Sequence, residues 1–333
     1  LTVDDFKKNK FIPLYSSVKY LSTGTGLKKI HFVINGRFKH TERTIKEIED
    51  AFGDEFLVWV SVTKGNGHAI ELATNAVLGG TDYLIAAGGD GTMSEVINGV
   101  MKTEKSKREN LTVGLYPFGS GNDFARTFKF SKKLSDLKEL IRNNSASPID
   151  IGKLEYTNMM GEKAIRYFNN ITDIGLGAEV AKRVNEGKKI YGPNFDFFKA
   201  TVLGFLNYKR KRVKIESDNF NWSGRLLILC LANGKYFGSG LGIAPQAKTD
   251  DGKLSITLAA DVSLFDYLKN LARIRKCIPV NHKQIIYAEA ENCSIDPIGP
   301  ECLIEADGEM IGRIPLKVSL LHREINFLQP KRD

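Results

Sequence analysis

From Lys29 onward, short apolar runs alternate with longer stretches in which apolar residues recur every three or four positions. KIHFVIN leads into TERTIKEIEDAF, EFLVWVSV into GHAIELATNAVL, YLIAAG into MSEVINGVMK, and LTVGLYPF into NDFARTF. The apolar runs predict strands, and the spacing near 3.6 predicts helices. Strands separated by helices imply a parallel sheet with helices on its faces. Near Ser145 the pattern changes: NNSASPID is a polar, proline-containing break, and AIRYFNNITDIG, GRLLILCLANG, KLSITLAAD and CLIEADGEMIG follow it. These β-rich segments predict a second, antiparallel domain, interrupted by helical insertions at Phe195 to Lys209 and Leu264 to Lys276.

Two glycine turns sit at strand-to-helix junctions. In GGDGT the strand is expected to end at Gly88 and Gly89, with Thr92 as helix N-cap and Glu95 completing a capping box. Glycines let a backbone approach a bound group closely, and the free N–H groups of a helix start favour phosphate. Asp90 in such a turn repels phosphate unless a cation lies between them, which points to Mg²⁺. The second turn, GSGNDFART, brings Gly119, Ser120, Asn122 and Asp123 to the next helix start, so both turns are expected to face one crevice at the carboxyl ends of the sheet. The chain has no GxxxxGK[ST] loop, and its GTG at Gly24 to Gly26 precedes a strand instead of following one, which disfavours P-loop and dinucleotide oxidoreductase readings.

Composition adds partners and compartment. Of 333 residues, 42% are hydrophobic and 26% charged, the profile of a globular protein. Lys and Arg number 48 against 39 Asp and Glu, and the net charge of +9 favours anionic partners. The four cysteines have neither CxxC spacing nor a disulfide framework, so a cytoplasmic setting is expected. No apolar run reaches the ~18 residues of a membrane span, and LTVDDFKKNK has no signal-peptide layout, so any membrane contact is expected to be peripheral.

With GGDGT at Gly88 to Thr92, GSGNDFAR at Gly119 to Arg126, NGKYFGSGLGIAPQAKTDDGKL at Asn233 to Leu254 and EADGE at Glu305 to Glu309, the chain resembles the diacylglycerol kinase catalytic-domain family, which includes bacterial lipid kinases and the sphingosine and ceramide kinases. GGDGT is shared with NAD kinases; the later pair of motifs is not. The resemblance implies an α/β fold: a Rossmann-like ATP-binding domain over residues 1–146, a C-terminal antiparallel β-sandwich over 147–317 that takes the lipid, and a tail of about 318–333 that packs back on the first domain. It also implies that ATP is held by Asn35 and the loop to Lys39, Thr63, Gly88, Gly89, Asp90, Gly91, Thr92, Ser94, Gly119, Ser120 and Asn122. The first loop reads NGRFK where relatives read NPxSG, so Arg37 or Lys39 is expected to supply charge there.

Two Mg²⁺ positions follow from the same resemblance. One is a structural ion on Asp251 with carbonyls of Lys248 and Lys253, for which a plain Asp-Gly turn is the alternative. The other is a water-mediated network around a cleft ion involving Asp90, Asp123 and Asp150. Phosphoryl transfer to an alcohol needs a base, and Asp307 and Glu309 are the candidates: an extended strand projects both to one face, whereas a hairpin turn leaves them as solvated acids.

FDFFKATVLGFLNYKRKR, ending in Lys209, Arg210, Lys211 and Arg212, suits a lipid headgroup region, although a core-covering helix with a solvated basic end has the same pattern. The expected partners are therefore a lipid alcohol and an anionic membrane surface bound peripherally, with a homodimer also expected and no nucleic acid. The expected activity is ATP- and Mg²⁺-dependent phosphorylation of a lipid hydroxyl such as that of diacylglycerol. A kinase of a soluble acceptor and a non-catalytic, nucleotide-regulated lipid-binding protein are the alternatives.

Overall fold

The computed structural model describes residues 27–119, 121–187 and 192–330, except for the side chains of Pro193 and Asn194. The first half contains strands β1 (Lys29–Ile34), β2 (Leu57–Val62), β3 (Tyr83–Gly88) and β4 (Thr112–Pro117). Between and after them come helices α1 (Thr41–Phe52), α2 (His68–Leu78), α3 (Asp90–Met101), α4 (Lys105–Arg108), α5 (Asp123–Thr127) and α6 (Leu134–Arg142). The strands pair in parallel in the order β2-β1-β3-β4.

Alternation along the strands divides the core into two layers. Ile30, Phe32, Ile34, Tyr83, Ile85 and Ala87 meet Ile48 and Phe52 of α1 and Leu137 and Ile141 of α6 on one face. On the other face, Val33, Leu84 and Ala86 pack on the small residues of α2, Ala69, Ala73 and Ala76, and on Met93, Val96 and Ile97 of α3. The sequence spacing in TERTIKEIEDAF and HAIELATNAVL thus buries one stripe of each helix, as amphipathic periodicity requires.

The second half contains β5 (Ala146–Asn158), β6 (Lys163–Phe168), β7 (Ile171–Gly175), α7 (Leu176–Glu186), α8 (Pro193–Asn207), β8 (Lys211–Ser217), β9 (Asn221–Leu226) and β10 (Ile228–Ala232). It continues with the short pair β11 (Tyr236–Phe237) and β12 (Leu241–Gly242), then β13 (Leu254–Ala259), α9 (Leu264–Arg275), β14 (Ile285–Ala290), β15 (Asn292–Pro297), β16 (Leu303–Ala306) and β17 (Glu309–Leu328). Antiparallel pairing gives a row β14-β13-β10-β7-β16-β17 and a row β6-β5-β17-β15-β8-β9, with β17 common to both. Leu154, Phe168, Ile174, Ile215, Leu229, Ile256, Ile295, Ile304 and Leu316 belong to one buried cluster that links the two rows.

Strand β17 also reaches the first half. Its residues Asn326 and Phe327 pair in parallel with Thr112 and Val113 of β4. The Phe327 ring meets Phe124 at 5.4 Å and Phe128 at 5.2 Å between centroids. Burying a side chain of this size contributes roughly 1.5–3 kcal/mol, so the end of the strand is anchored in the first core. The two helical insertions are α8 and α9; among the described residues no helix is long and apolar enough to cross a membrane.

Candidate active site

The two glycine turns touch. Gly88 and Pro117 are register partners at the ends of β3 and β4, and the N–H groups of Phe118 and Gly119 donate to the Gly88 carbonyl at 2.9 and 3.3 Å. A Cβ on Gly119 would lie 2.5 Å from the Cα of Gly89, a separation that no side chain tolerates. The first loop joins them from the side: Asn35 Nδ2 donates to Thr92 Oγ1 at 3.1 Å, and the Gly36 N–H donates to Thr63 Oγ1 at 3.1 Å. Asn35, Thr63 and Thr92 are thereby gathered at the carboxyl ends of three adjacent strands. In the atypical NGRFK loop, Arg37 Nη2 donates to Asn66 Oδ1 at 2.9 Å, and both Arg37 and Lys39 are exposed.

The helix after GGDGT starts earlier than its sequence suggests. Gly89 is the N-cap of α3, Asp90 is its first residue, and no side chain caps it. Glu95 does not close a capping box with Thr92; its carboxylate instead accepts the N–H groups of Gly67 at 2.8 Å and Ala69 at 3.0 Å, at the start of α2. It satisfies orphan donors of the neighbouring helix, where a negative group is favoured.

Asp90 and Asp123 form the acidic part of the site. Asp90 Oδ2 accepts the Asp123 N–H and Asp90 Oδ1 the Phe124 N–H, both at 3.0 Å. A Cβ on Gly121 would have Asp90 Oδ2 at 3.1 Å and Asp123 Oδ2 at 3.5 Å, so the two carboxylates border one small space. Asp123 is 5% exposed, its Oδ2 accepts the Ser239 N–H at 2.9 Å, and its Oδ1 is buried without a hydrogen-bond partner. Burial first, then the charge of Asp90, pushes the Asp123 carboxyl up to about 7. The Asn122 side chain turns back to donate to the Gly119 carbonyl at 2.5 Å.

EADGE is a hairpin and not an extended strand. Asp307 has φ +49° and Gly308 φ +92°, the left-handed pair that a tight two-residue turn demands between β16 and β17. The turn sends its two acids in different directions. Asp307 is 6% exposed and accepts the N–H groups of Asn169, Asn170 and Ile171, each at 3.1 Å. Burial pushes its carboxyl up to about 6 against the pull of those donors. Glu309 faces Arg166, whose Nη2 lies 2.7 Å from Glu309 Oε2. The same Nη2 donates to Ser94 Oγ at 3.4 Å, linking the end of the hairpin to helix α3.

A second acid pair lies beneath the hairpin. Asp173 and Glu305 are register partners on β7 and β16 and are both buried. Burial pushes the Asp173 carboxyl up to about 6. Burial and then the Asp173 charge hold Glu305 well above the ordinary carboxyl range. Glu305 Oε1 also accepts the N–H of Gly308, so the pair braces the turn that presents Glu309.

Comparison with known proteins bears on this arrangement. Residues 29–154 match the diacylglycerol kinase catalytic domain, and residues 170–329 match the YegS C-terminal NAD kinase beta sandwich-like domain. The chain belongs to the diacylglycerol kinase catalytic-domain family. It is 28% identical over 270 residues to the diacylglycerol kinase of Staphylococcus haemolyticus, covering 81% of this chain and 77% of that one. With the diacylglycerol kinase of Bacillus subtilis it shares 25% identity over 294 residues, covering 88% and 91%. A crystal structure of a Bacillus anthracis protein described as a diacylglycerol kinase has the same fold, with a TM-score of 0.71 at 23% identity over 92% of this chain and 99% of that one.

Within this diacylglycerol kinase fold, the residues expected at the nucleotide site are gathered at the two turns and the first loop; Ser120 lies outside the described residues. Asp150 has partners of its own. It is fully buried, with Oδ2 accepting the Gly252 N–H at 2.7 Å and Oδ1 accepting the Arg323 N–H at 2.7 Å, while His322 Nδ1 lies 2.9 Å from the same Oδ1. These contacts tie the DDG loop to a bulge in β17. Among the described residues no three acidic, His or Cys side chains gather as a metal-binding group. Asp251 accepts the Lys253 N–H at 3.1 Å in a turn that continues through Gly252 at φ +76°, the geometry of the Asp-Gly turn. Arg166 was not among the residues picked out by the sequence, although it touches both Ser94 and Glu309.

Proposed function

We propose that this lipid kinase transfers the γ-phosphoryl group of ATP, with Mg²⁺, to a hydroxyl of a lipid such as diacylglycerol. The observation that carries the reading is the contact of Gly89 with Gly119 beside the carboxylates of Asp90 and Asp123. Main-chain N–H groups suited to phosphate stand there next to acids that need a cation.

In this reading Asn35, Thr63, Gly88 to Thr92, Ser94, Gly119, Ser120 and Asn122 hold the nucleotide, and the lipid lies on the side of the second domain. The donor set at Asp90 and Asp123 fits Mg²⁺, because the buried Asp123 Oδ1 has no hydrogen-bond partner and the adjacent Asp90 adds negative charge. When bound, the ion gathers charge on the phosphates of the transferring group. Asp90 also fixes the main chain at Asp123 and Phe124, which keeps the second turn seated against the first. Glu309 is the base that takes the hydroxyl proton, and Asp307 holds the hairpin. Asp251, with the carbonyls of Lys248 and Lys253, takes a second divalent ion that braces the loop after APQAK.

The membrane surface in this reading is the face formed by α8 and α9. Phe205 and Tyr267 stack at 5.2 Å between the helices. Phe195, Leu203, Leu206, Phe265 and Leu268 are exposed, with Phe265 at 73%. Lys199, Lys209, Lys269, Arg273 and Arg275 are exposed on or beside the same helices. Apolar side chains with neighbouring cations suit anionic lipid headgroups. In the KRKR run, Arg210 pairs with Asp261 at 3.1 Å and Lys211 donates to the Glu301 carbonyl at 2.5 Å, so the electrostatic part rests on Lys209 and Arg212 and on the cations of α9.

The test is incubation of the protein with γ-labelled ATP, Mg²⁺ and a total lipid extract, followed by mass spectrometry of labelled products. A phosphorylated lipid alcohol is expected. Label transfer only to soluble acceptors, or no ATP consumption with any lipid, overturns the reading.

A further inference from the structure

Arg166 stands between the two halves of the chemistry. It lies on β6, and its guanidinium contacts Ser94 Oγ, one helical turn beyond Asp90, and Glu309 Oε2 at the start of β17. The Arg166 side chain is 16% exposed, and the Glu309 side chain is 37% exposed. Only Nη2 serves these two contacts, and Nε is buried without an acceptor. A guanidinium carries five donors in a rigid fork, so this one is under-used where it stands. The neighbouring α3 contributes a hydroxyl, and among the described residues the salt bridge of Arg166 is with Glu309.

While the pair stands, the guanidinium occupies Glu309 Oε2, the atom that a substrate hydroxyl would have to reach. For Glu309 to accept a proton, the cation has to leave or find a better anion. A terminal phosphate is that anion, since guanidinium binds phosphate oxygens through two parallel N–H groups and prefers them to a half-exposed carboxylate.

We propose that Arg166 is a γ-phosphate sensor: it holds Glu309 while the nucleotide site lacks a γ-phosphate, and on ATP binding it turns to the γ-phosphate and releases Glu309 to act as base. This inference rests on the lipid-kinase reading and adds to it a residue and an order of events. Glu309 Oε2 becomes open to a hydroxyl only when the donor group is in place. The movement needed is small, because Ser94 beside the phosphate turn is already within reach of Nη2.

Calorimetric titration with β,γ-imido ATP and with ADP, both with Mg²⁺, tests it in the full chain. Arg166→Gln should weaken the imido-ATP complex by about tenfold, the scale of one lost charge-assisted hydrogen bond, and leave ADP affinity unchanged. Glu309→Gln should do the reverse: with the competing carboxylate neutralised, imido-ATP binds several-fold more tightly than to the wild type while ADP does not. Arg166→Lys, which keeps the charge but loses the fork, should fall between them. If Glu309→Gln and Arg166→Gln both leave the ratio of imido-ATP to ADP affinity at the wild-type value, Arg166 is only a structural partner of Glu309 and the proposal fails. The Glu309→Gln arm decides the matter even if the Arg166 variants do not fold. Failure of the wild type to bind either nucleotide overturns the kinase reading itself, a result distinct from an unchanged ratio.

Discussion

Asp90 grips the main chain of Asp123: its Oδ2 accepts the Asp123 N–H at 3.0 Å while the two carboxylates border the same space beside Gly121. The contact makes one residue both a builder of the second turn and a charged neighbour of the buried acid.

Asp90→Asn separates these roles. The amide keeps one acceptor oxygen but places an N–H₂ against a main-chain donor, and it removes the charge proposed to help hold a cation. The variant should fold, and its kcat/KM should drop by about 10²-fold, the effect of losing one electrostatic stabiliser. ATP titration with and without Mg²⁺ checks the cause: the wild type should show a Mg²⁺ dependence that the variant largely loses, and equal dependence in both sinks the assignment.

The two acids of the hairpin should respond differently to neutralisation. Glu309→Gln removes the proposed base and is expected to lower kcat by about 10²- to 10⁴-fold with little change in melting temperature. Asp307→Asn loses an acceptor for buried N–H groups and should cost about 1–3 kcal/mol of stability. Parallel kcat and thermal unfolding measurements distinguish them, and a stable Asp307→Asn protein with a large loss in kcat reverses the assignment.

Asp173 and Glu305 make stability depend on pH in an unusual direction. Burial raises both carboxyls in the folded state, Asp173 to about 6. A raised carboxyl pKa means that the folded state binds protons more readily than the unfolded chain, so the contribution is complete below about pH 4 and is lost as pH rises through about 6. Asp173→Asn, able to donate to Glu305, should flatten the slope in this window. Urea unfolding between pH 4 and 7 measures it; identical slopes in variant and wild type reject the pair as its source.

The α8–α9 face should bind vesicles containing anionic lipid. Phe265→Ser with Leu268→Ser should weaken sedimentation with such vesicles at all salt concentrations, whereas Lys269→Gln with Arg273→Gln should weaken it mainly at low salt, where exposed charges act over the ~10 Å screening length of 0.1 M salt. Neither pair changes a residue at the nucleotide turns. Binding of both variants equal to wild type removes these helices from any membrane role.

Much of the first half was legible because its periodicities agree with its burial: the strand and helix runs, and the glycines at their junctions, each depend on local sequence. The departures come from long-range competition. Glu95 satisfies Thr92 on the sequence pattern, yet the N-terminus of α2 offers it two unpaired N–H groups. The contacts of Asp150 with the bulge at His322 and Arg323 are likewise invisible in PID, since the partners lie about 170 residues away. Arg166 carried a faint signal, since in KAIRYF the apolar Ile165 is 59% exposed while the charged Arg166 is turned inward, the inverse of ordinary strand alternation. Only the three-dimensional placement of Glu309 gives that inversion a meaning.

Because β17 supplies the strand beside β4, the first half does not finish folding when its own segment emerges from the ribosome. Ile325 and Phe327 belong to its inner core and Leu328 to its outer one, and until they arrive the edge of β4 stays open. The second half must be synthesised first, and the ribbon of β5 and β17 then closes both cores together. The two halves therefore complete their cores as one event.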